Sequence, residues 1–263
     1  MLSKLLKYDI KTINKNLIIF YSLSLFFSIL TRIFFMIENS AIMHVIALVC
    51  SGATISMIFN ILINNLMRLW VRFKVNLYGD ESYLTHTLPV TKKELYLSKF
   101  IISVLTLFIS VLVILISLFI AYYSKENLQM IKNLLMPLAS VYESTVLKII
   151  LLFVFVCFLE LMNMLQSGYT GIILGHQRNN SKMGASILFG FIRYLITQIV
   201  AIITVFIVGL FNDKLMNLFM TLDQFDVPTI KLCIAIAVGV YTFNIAALYV
   251  FNLFQFKEGV NVE

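Results

Sequence analysis

The only acidic side chain deep inside a long apolar stretch of this chain is Glu160, followed by Asn163, Ser167, Gly171 and Gly175. Residues three and four apart share one face of a helix, so this spacing lines up a carboxylate, an amide and a hydroxyl on one ridge, ahead of a Gly-x-x-x-Gly pair. Two chemistries fit. The carboxylate can line a pathway or answer to protons, or the ridge can be a set of interhelical hydrogen bonds that fixes packing where glycines let helices approach. Packing is the reading we favour. In a later apolar stretch Ser186, Gly190, Arg193, Thr197, Ala201 and Thr204 also share a face. Arg193 lies about two turns in, where its stem can snorkel to the headgroups. At 1.5 Å rise per residue it sits roughly 10 Å from the depth of Glu160, so Gln198 or Thr197 is the better-matched neighbour. His44, Ala47, Ser51 and Thr54 align in the same way. The pathway or helix-packing candidates are therefore Glu160, Asn163, Ser167, Arg193, Thr197, His44 and Ser51.

Catalysis finds no such support. The three histidines, His44, His86 and His176, are scattered, and no carboxylates gather near them. Cys50, Cys157 and Cys233 fall inside apolar stretches, where a thiol behaves as a small hydrophobe, so neither a disulfide framework nor a metal site is expected. No nucleotide-binding lysine motif occurs, which predicts a chain that is not itself an enzyme and binds no cofactor.

The elements that position these residues are six apolar stretches, 17–37, 41–63, 100–123, 146–174, 186–211 and 230–254. A bilayer core of about 30 Å needs roughly 20 apolar residues as helix, and each stretch is long enough. With 60% hydrophobic and 13% charged residues, the chain reads as an all-α polytopic membrane protein, a single transmembrane domain over residues 1–263. Pro89, Pro137 and Pro228 sit in the connections. The basic segment 1–16 runs into the first stretch with no small-residue cleavage site after it, which predicts an uncleaved first span. With the N-terminus inside, 14 of the 20 Lys and Arg fall on one side, which places both termini in the cytoplasm of a plasma membrane protein. The net charge of +7 is then topology and attraction to anionic lipid, not a nucleic-acid footprint.

Residues 1–16 set Leu2, Leu5, Leu6, Ile10, Ile13 and Leu17 at helical spacing among lysines, as an interfacial elbow helix would before the chain turns into the first span. In the 64–99 connection the stripe Leu66, Trp70, Phe73 and Leu77 extends the second helix as far as Gly79-Asp80. Ser82 to Leu88 reads as extended chain ahead of Pro89. Thr91-Lys92-Lys93-Glu94 matches a capping box, which predicts a helix from about Lys92 into the third span. On the outer side Leu128, Ile131, Leu134, Leu135 and Leu138 form one amphipathic stripe, and Leu215, Leu218, Phe219 and Leu222, within an extracellular re-entrant or interfacial segment 212–229, form another.

The run Gly79-Asp80-Glu81-Ser82-Tyr83-Leu84, followed by Leu88-Pro89-Val90 and continuing to Lys99, resembles the corresponding segment in permease subunits of Gram-positive type 2 ABC exporters. That resemblance implies six spans behind an elbow helix, and a cytoplasmic coupling helix between spans two and three that docks on a separate ATPase. It implies that Pro89, Thr91, Lys92, Glu94, Leu95 and Tyr96 meet that ATPase. It also implies a second permease copy, two ATPase subunits carrying ATP and Mg, and faces of spans two and five that line the route. Permeases exporting phenol-soluble-modulin-type toxins or antimicrobial peptides are similar in size and topology, so an amphipathic or hydrophobic peptide is the expected cargo. A drug or lipid exporter of the same family is the first alternative. A gradient-driven carrier without an ATPase is the second, although no inverted repeat or broken helix supports it.

Overall fold

The computed structural model describes residues 2–37, 40–179, 181–212, 215–216 and 227–258. Among the described residues there are helices and no strands: α1 (Leu2–Phe35), α2 (Ala41–Leu77), α3 (Ser82–Thr87), α4 (Lys92–Tyr122), α5 (Lys125–Val141), α6 (Val146–His176), α7 (Lys182–Gly209) and α8 (Val227–Glu258). Six of them are long and apolar enough to cross a membrane, the all-α polytopic architecture expected. In lipid only a helix satisfies its own backbone, which is why apolar runs of this length adopt it. The 215–222 stripe lies almost wholly outside the described residues.

Two expectations are corrected. Residues 2–16 are not a separate elbow, because α1 continues through position 16 without a break. Lysines and leucines are good helix formers, and no glycine or proline interrupts the junction. Residues 82–87 are helical, not extended. Proline restrains only the residue before it, and Leu88 alone takes the extended conformation, with ψ 140°. The capping box holds: Thr91 Oγ1 accepts the Glu94 amide at 3.2 Å, and the Glu94 carboxylate accepts the Thr91 amide at 2.9 Å.

The chain groups into two compact units, 1–128 and 129–263, where the sequence was read as one domain. In the first, α1 packs along both α2 and α4. The buried face of α1 reads Asp9, Ile13, Leu17, Tyr21, Ser24, Ser28 and Thr31, at spacings of three and four. Hydroxyls bridge the seams. Tyr21 shares a hydrogen bond with Ser110 at 2.7 Å, Ser24 donates to Ser117 at 3.0 Å, and Thr31 meets Thr54 at 3.2 Å. Asn65 on α2 donates to Ser110 at 2.6 Å. Each such bond inside a membrane helix bundle contributes on the order of 0.6 kcal/mol.

In the second unit α6 is the central helix, packed on α7 and α8. The α6–α7 seam is made by small residues. A Cβ added at Gly171 would lie 2.6 Å from the Cα of Gly190, and one added at Gly175 would lie 2.6 Å from the Cα of Ser186. Only glycine permits this approach. The α6–α8 seam is polar, with Thr170 donating to Asn252 Oδ1 at 2.8 Å and Asn252 Nδ2 donating to Gln166 Oε1 at 3.0 Å. Helix α5 carries the amphipathic stripe Leu128, Ile131, Leu134, Leu135 and Leu138, and its Leu138 and Ala139 are buried against Ile149.

Candidate functional site

The first unit gathers charge at one end of its three long helices. Asp9 of α1 is 2% exposed and Lys99 of α4 is 7% exposed, and the Lys99 ammonium donates to Asp9 Oδ2 at 2.5 Å. Arg72 of α2 reaches the other Asp9 oxygen at 3.3 Å and pairs with Glu81 at 2.9 Å. Asn76 completes the ring: its carbonyl takes the Lys99 ammonium at 2.5 Å and its amide nitrogen donates to the Glu81 carboxylate. Two cations therefore face two carboxylates, with an amide bridging them, and burying the group costs far less than burying any member alone. The ring has no nucleophile and base in catalytic arrangement. What it can do is lock α1, α2 and α4 to the turn at 79–81. Beside it Tyr78 is nearly fully buried, and desolvation pushes its phenol well above the ordinary range.

Above this ring the chain presents a mixed surface. Tyr83, Leu84 and Leu88 are exposed, as are Pro89, Thr91, Lys92 and Lys93. Leu95 and Tyr96 are not: both are buried, with the Tyr96 ring packed edge-on to Phe73 at 6.2 Å. That corrects the expectation that these two residues touch a partner. One turn of helix separates the exposed start of α4 from the level at which α4 enters its bundle, and Leu95 and Tyr96 fall inside. Glu94 sits between, held in the capping box.

In the second unit Glu160 Oε1 accepts two donors from α7, Tyr194 Oη at 2.7 Å and Gln198 Nε2 at 2.9 Å. Of the two neighbours that depth matching offers, Gln198 makes the bond and Thr197 does not; Tyr194 was not anticipated. Tyr241 of α8 donates in turn to Gln198 Oε1 at 3.4 Å. Arg193 turns away from the carboxylate and reaches Asn244 of α8 at 3.5 Å. Asn163 and Ser167 are buried on the ridge, and Thr197 is buried and donates to the Arg193 carbonyl at 3.3 Å. In the first unit Ser51 is hydrogen-bonded to Tyr122 at 2.7 Å, while His44 is exposed and packs edge-on to Phe35. The ridge candidates are thus brought together in one unit, and His44 and Ser51 belong to the other.

Sequence reasoning passed over Asp9, Arg72, Asn76, Glu81 and Lys99 as a group. One signal was present: Asp9 stands four residues before Ile13 and eight before Leu17, on the same helical face. A second was the run Ser103, Thr106, Ser110 and Ser117 on α4, spaced three, four and seven apart, which marks the polar seam. Among the described residues no cluster of His, Cys, Asp and Glu has the makings of a metal site. Comparison of the chain with protein-family models, with curated proteins and with solved structures finds no match.

Proposed function

We propose that this chain is the membrane-spanning permease subunit of an ATP-driven ABC exporter, one that moves amphipathic or hydrophobic peptides out of the cytoplasm or inner leaflet. The observation that supports it is the 78–99 segment. An exposed apolar and basic surface (Tyr83, Leu84, Leu88, Lys92) leads into a capped helix, and a buried ion ring ties that surface to three long helices. A surface that receives force from a partner needs such an anchorage, because a loosely held loop would absorb the motion. In this reading two permease copies sit in the plasma membrane with both termini in the cytoplasm, and each is driven by an ATPase subunit that binds ATP and Mg. The exposed residues make the contact, and closure of the ATPases tilts α2 and α4 together through Arg72, Asn76 and Lys99.

The test is co-purification and ATPase activity with a co-expressed ABC ATPase subunit. Tyr83→Ala with Leu84→Ala, or Lys92→Glu, should leave insertion intact and weaken the ATPase contact at least tenfold. Peptide-stimulated ATP hydrolysis should fall with it. Stimulation by small hydrophobic drugs or lipids and not by peptides would move the assignment to a drug or lipid exporter. Unchanged co-purification and export in both variants would refute the docking surface.

A further inference from the structure

We propose that Glu160 and Asn163 form an exchangeable site for a small monovalent cation, a proton or sodium, inside the second unit. The proposal stands on four atoms. Glu160 Oε2, both side-chain atoms of Asn163, and Ser167 Oγ are buried without a hydrogen-bond partner, and they follow one another along a single face of α6. Asn163 is 0% exposed and Ser167 1%. A buried amide or hydroxyl with no partner costs on the order of 1–3 kcal/mol, so four such atoms on one ridge call for a ligand.

Charge decides what kind. Glu160 carries its two donors on Oε1, from the neutral groups Tyr194 and Gln198, and no Lys or Arg pairs with it among the described residues. Of the titratable and charged groups on the helices packed against it, Tyr194 of α7 and Tyr241 of α8 lie at the Glu160 carboxyl, Arg193 is committed to Asn244, and the remaining ones (Lys182 of α7; Lys231, Cys233, Tyr249, Lys257 and Glu258 of α8) make no contact with it. A carboxylate so placed in a bilayer needs a neutralising charge. Bound water alone would satisfy the hydrogen bonds but leave the charge. A proton on Oε2 neutralises it and turns that atom into a donor. A sodium ion shared by Oε2 and Asn163 Oδ1, with water reaching Ser167, neutralises it through oxygen ligands, the donor set that hard cations prefer. Exchange is one cation for one proton, so the site keeps its net charge. Asn163 is the residue that makes this a site rather than a lone acid, because it presents a carbonyl one turn along the ridge from the carboxyl. The site stands independently of what drives transport.

The test uses the full chain, purified in detergent, and reads thermal unfolding in sodium against choline at constant ionic strength, over a range of pH. Wild type, Glu160→Gln and Asn163→Leu are compared. A sodium site raises the wild-type Tm over choline by about 2–4 °C, and the rise disappears in both variants. A proton site gives no sodium effect but a gap between wild type and Glu160→Gln that changes with pH, together with a carboxylic C=O infrared band that is absent in Glu160→Gln. If Glu160→Gln fails to fold, the sodium response of Asn163→Leu and the wild-type infrared titration still decide. A wild-type protein indifferent to sodium, with a carboxyl band constant across the pH range, overturns the proposal.

Discussion

The two units bury polar side chains among three long apolar helices, and they do it in opposite ways. Residues 1–128 concentrate charge at one end and run hydroxyls along the seams above it, so that every formal charge in the ring has a partner. Residues 129–263 close their main seam with glycine and serine, and leave a carboxyl and an amide with free atoms in its midst. The first arrangement is rigid by compensation: Asp9 and Arg72 each meet two opposite charges, Lys99 and Glu81 each meet one opposite charge and the Asn76 amide, and removing a member leaves its neighbours short of a partner. The second is tight where backbones touch and unsatisfied where Glu160 and Asn163 sit. A structure that must transmit force suits the first, and one that must exchange a ligand suits the second.

The contrast can be broken most severely at Asp9. Asp9→Ala leaves the Lys99 ammonium buried without a carboxylate, and should cost about 3–5 kcal/mol, read as loss of resistance to heat or SDS in detergent. Asp9→Leu with Lys99→Met should recover most of that loss, since an apolar pair of similar volume avoids the desolvation. If the double variant is as unstable as the single one, the ring is holding the helices through specific geometry and not through charge balance.

The glycine seam should respond to size instead. Gly171→Ala forces backbone apart at the contact with Gly190, and is expected to destabilise by about 1–3 kcal/mol with no dependence on salt. The buried ring is screened from salt as well, so it is a Gly171 effect that salt alters that would overturn the steric reading of the seam.

How much of this was legible in the sequence depended on how local the cause was. The six long apolar helices, the Thr91–Glu94 box and the close approach at Gly171 and Gly175 follow from spacing within one helix, and these appear as expected. The Glu160–Gln198 bond was accessible because two antiparallel spans can be aligned by depth. For Asp9 only its place on the face of Ile13 and Leu17 was legible; its partners Arg72 and Lys99 come 63 and 90 residues later, and no local spacing names them. Leu95 and Tyr96 were misplaced for the same reason. Which face of a helix start is covered is decided by neighbours far away in the chain.

Two smaller effects sharpen the comparison. Thr91→Ala removes the cap of α4 and should cost about 1 kcal/mol, a local loss that leaves the ring intact. It should show as faster amide exchange over the first turn of α4, with wild-type exchange at Asn76 and Lys99. Gly239→Ala, on α8 of the second unit, is the control. No atom lies within 4 Å of the added methyl, so the change should be neutral or stabilising by up to about 1 kcal/mol. A clear loss there would mean that this open face of α8 is covered by a second copy of the chain.

The 90 residues between Asp9 and Lys99 also set a clock for biosynthesis. At about 5–20 residues per second, roughly 5–20 s pass between synthesis of the carboxylate and arrival of its ammonium. Throughout that interval α1 is already made, and its acid has at most Arg72, made 63 residues after it, for a partner. Asp9 must stay in water or headgroups until α4 is inserted, so the first helix cannot settle to its final depth on its own. Closure of the ring therefore marks the moment at which the third span is in place, and a ribosome pause before residue 99 would prolong the exposed state.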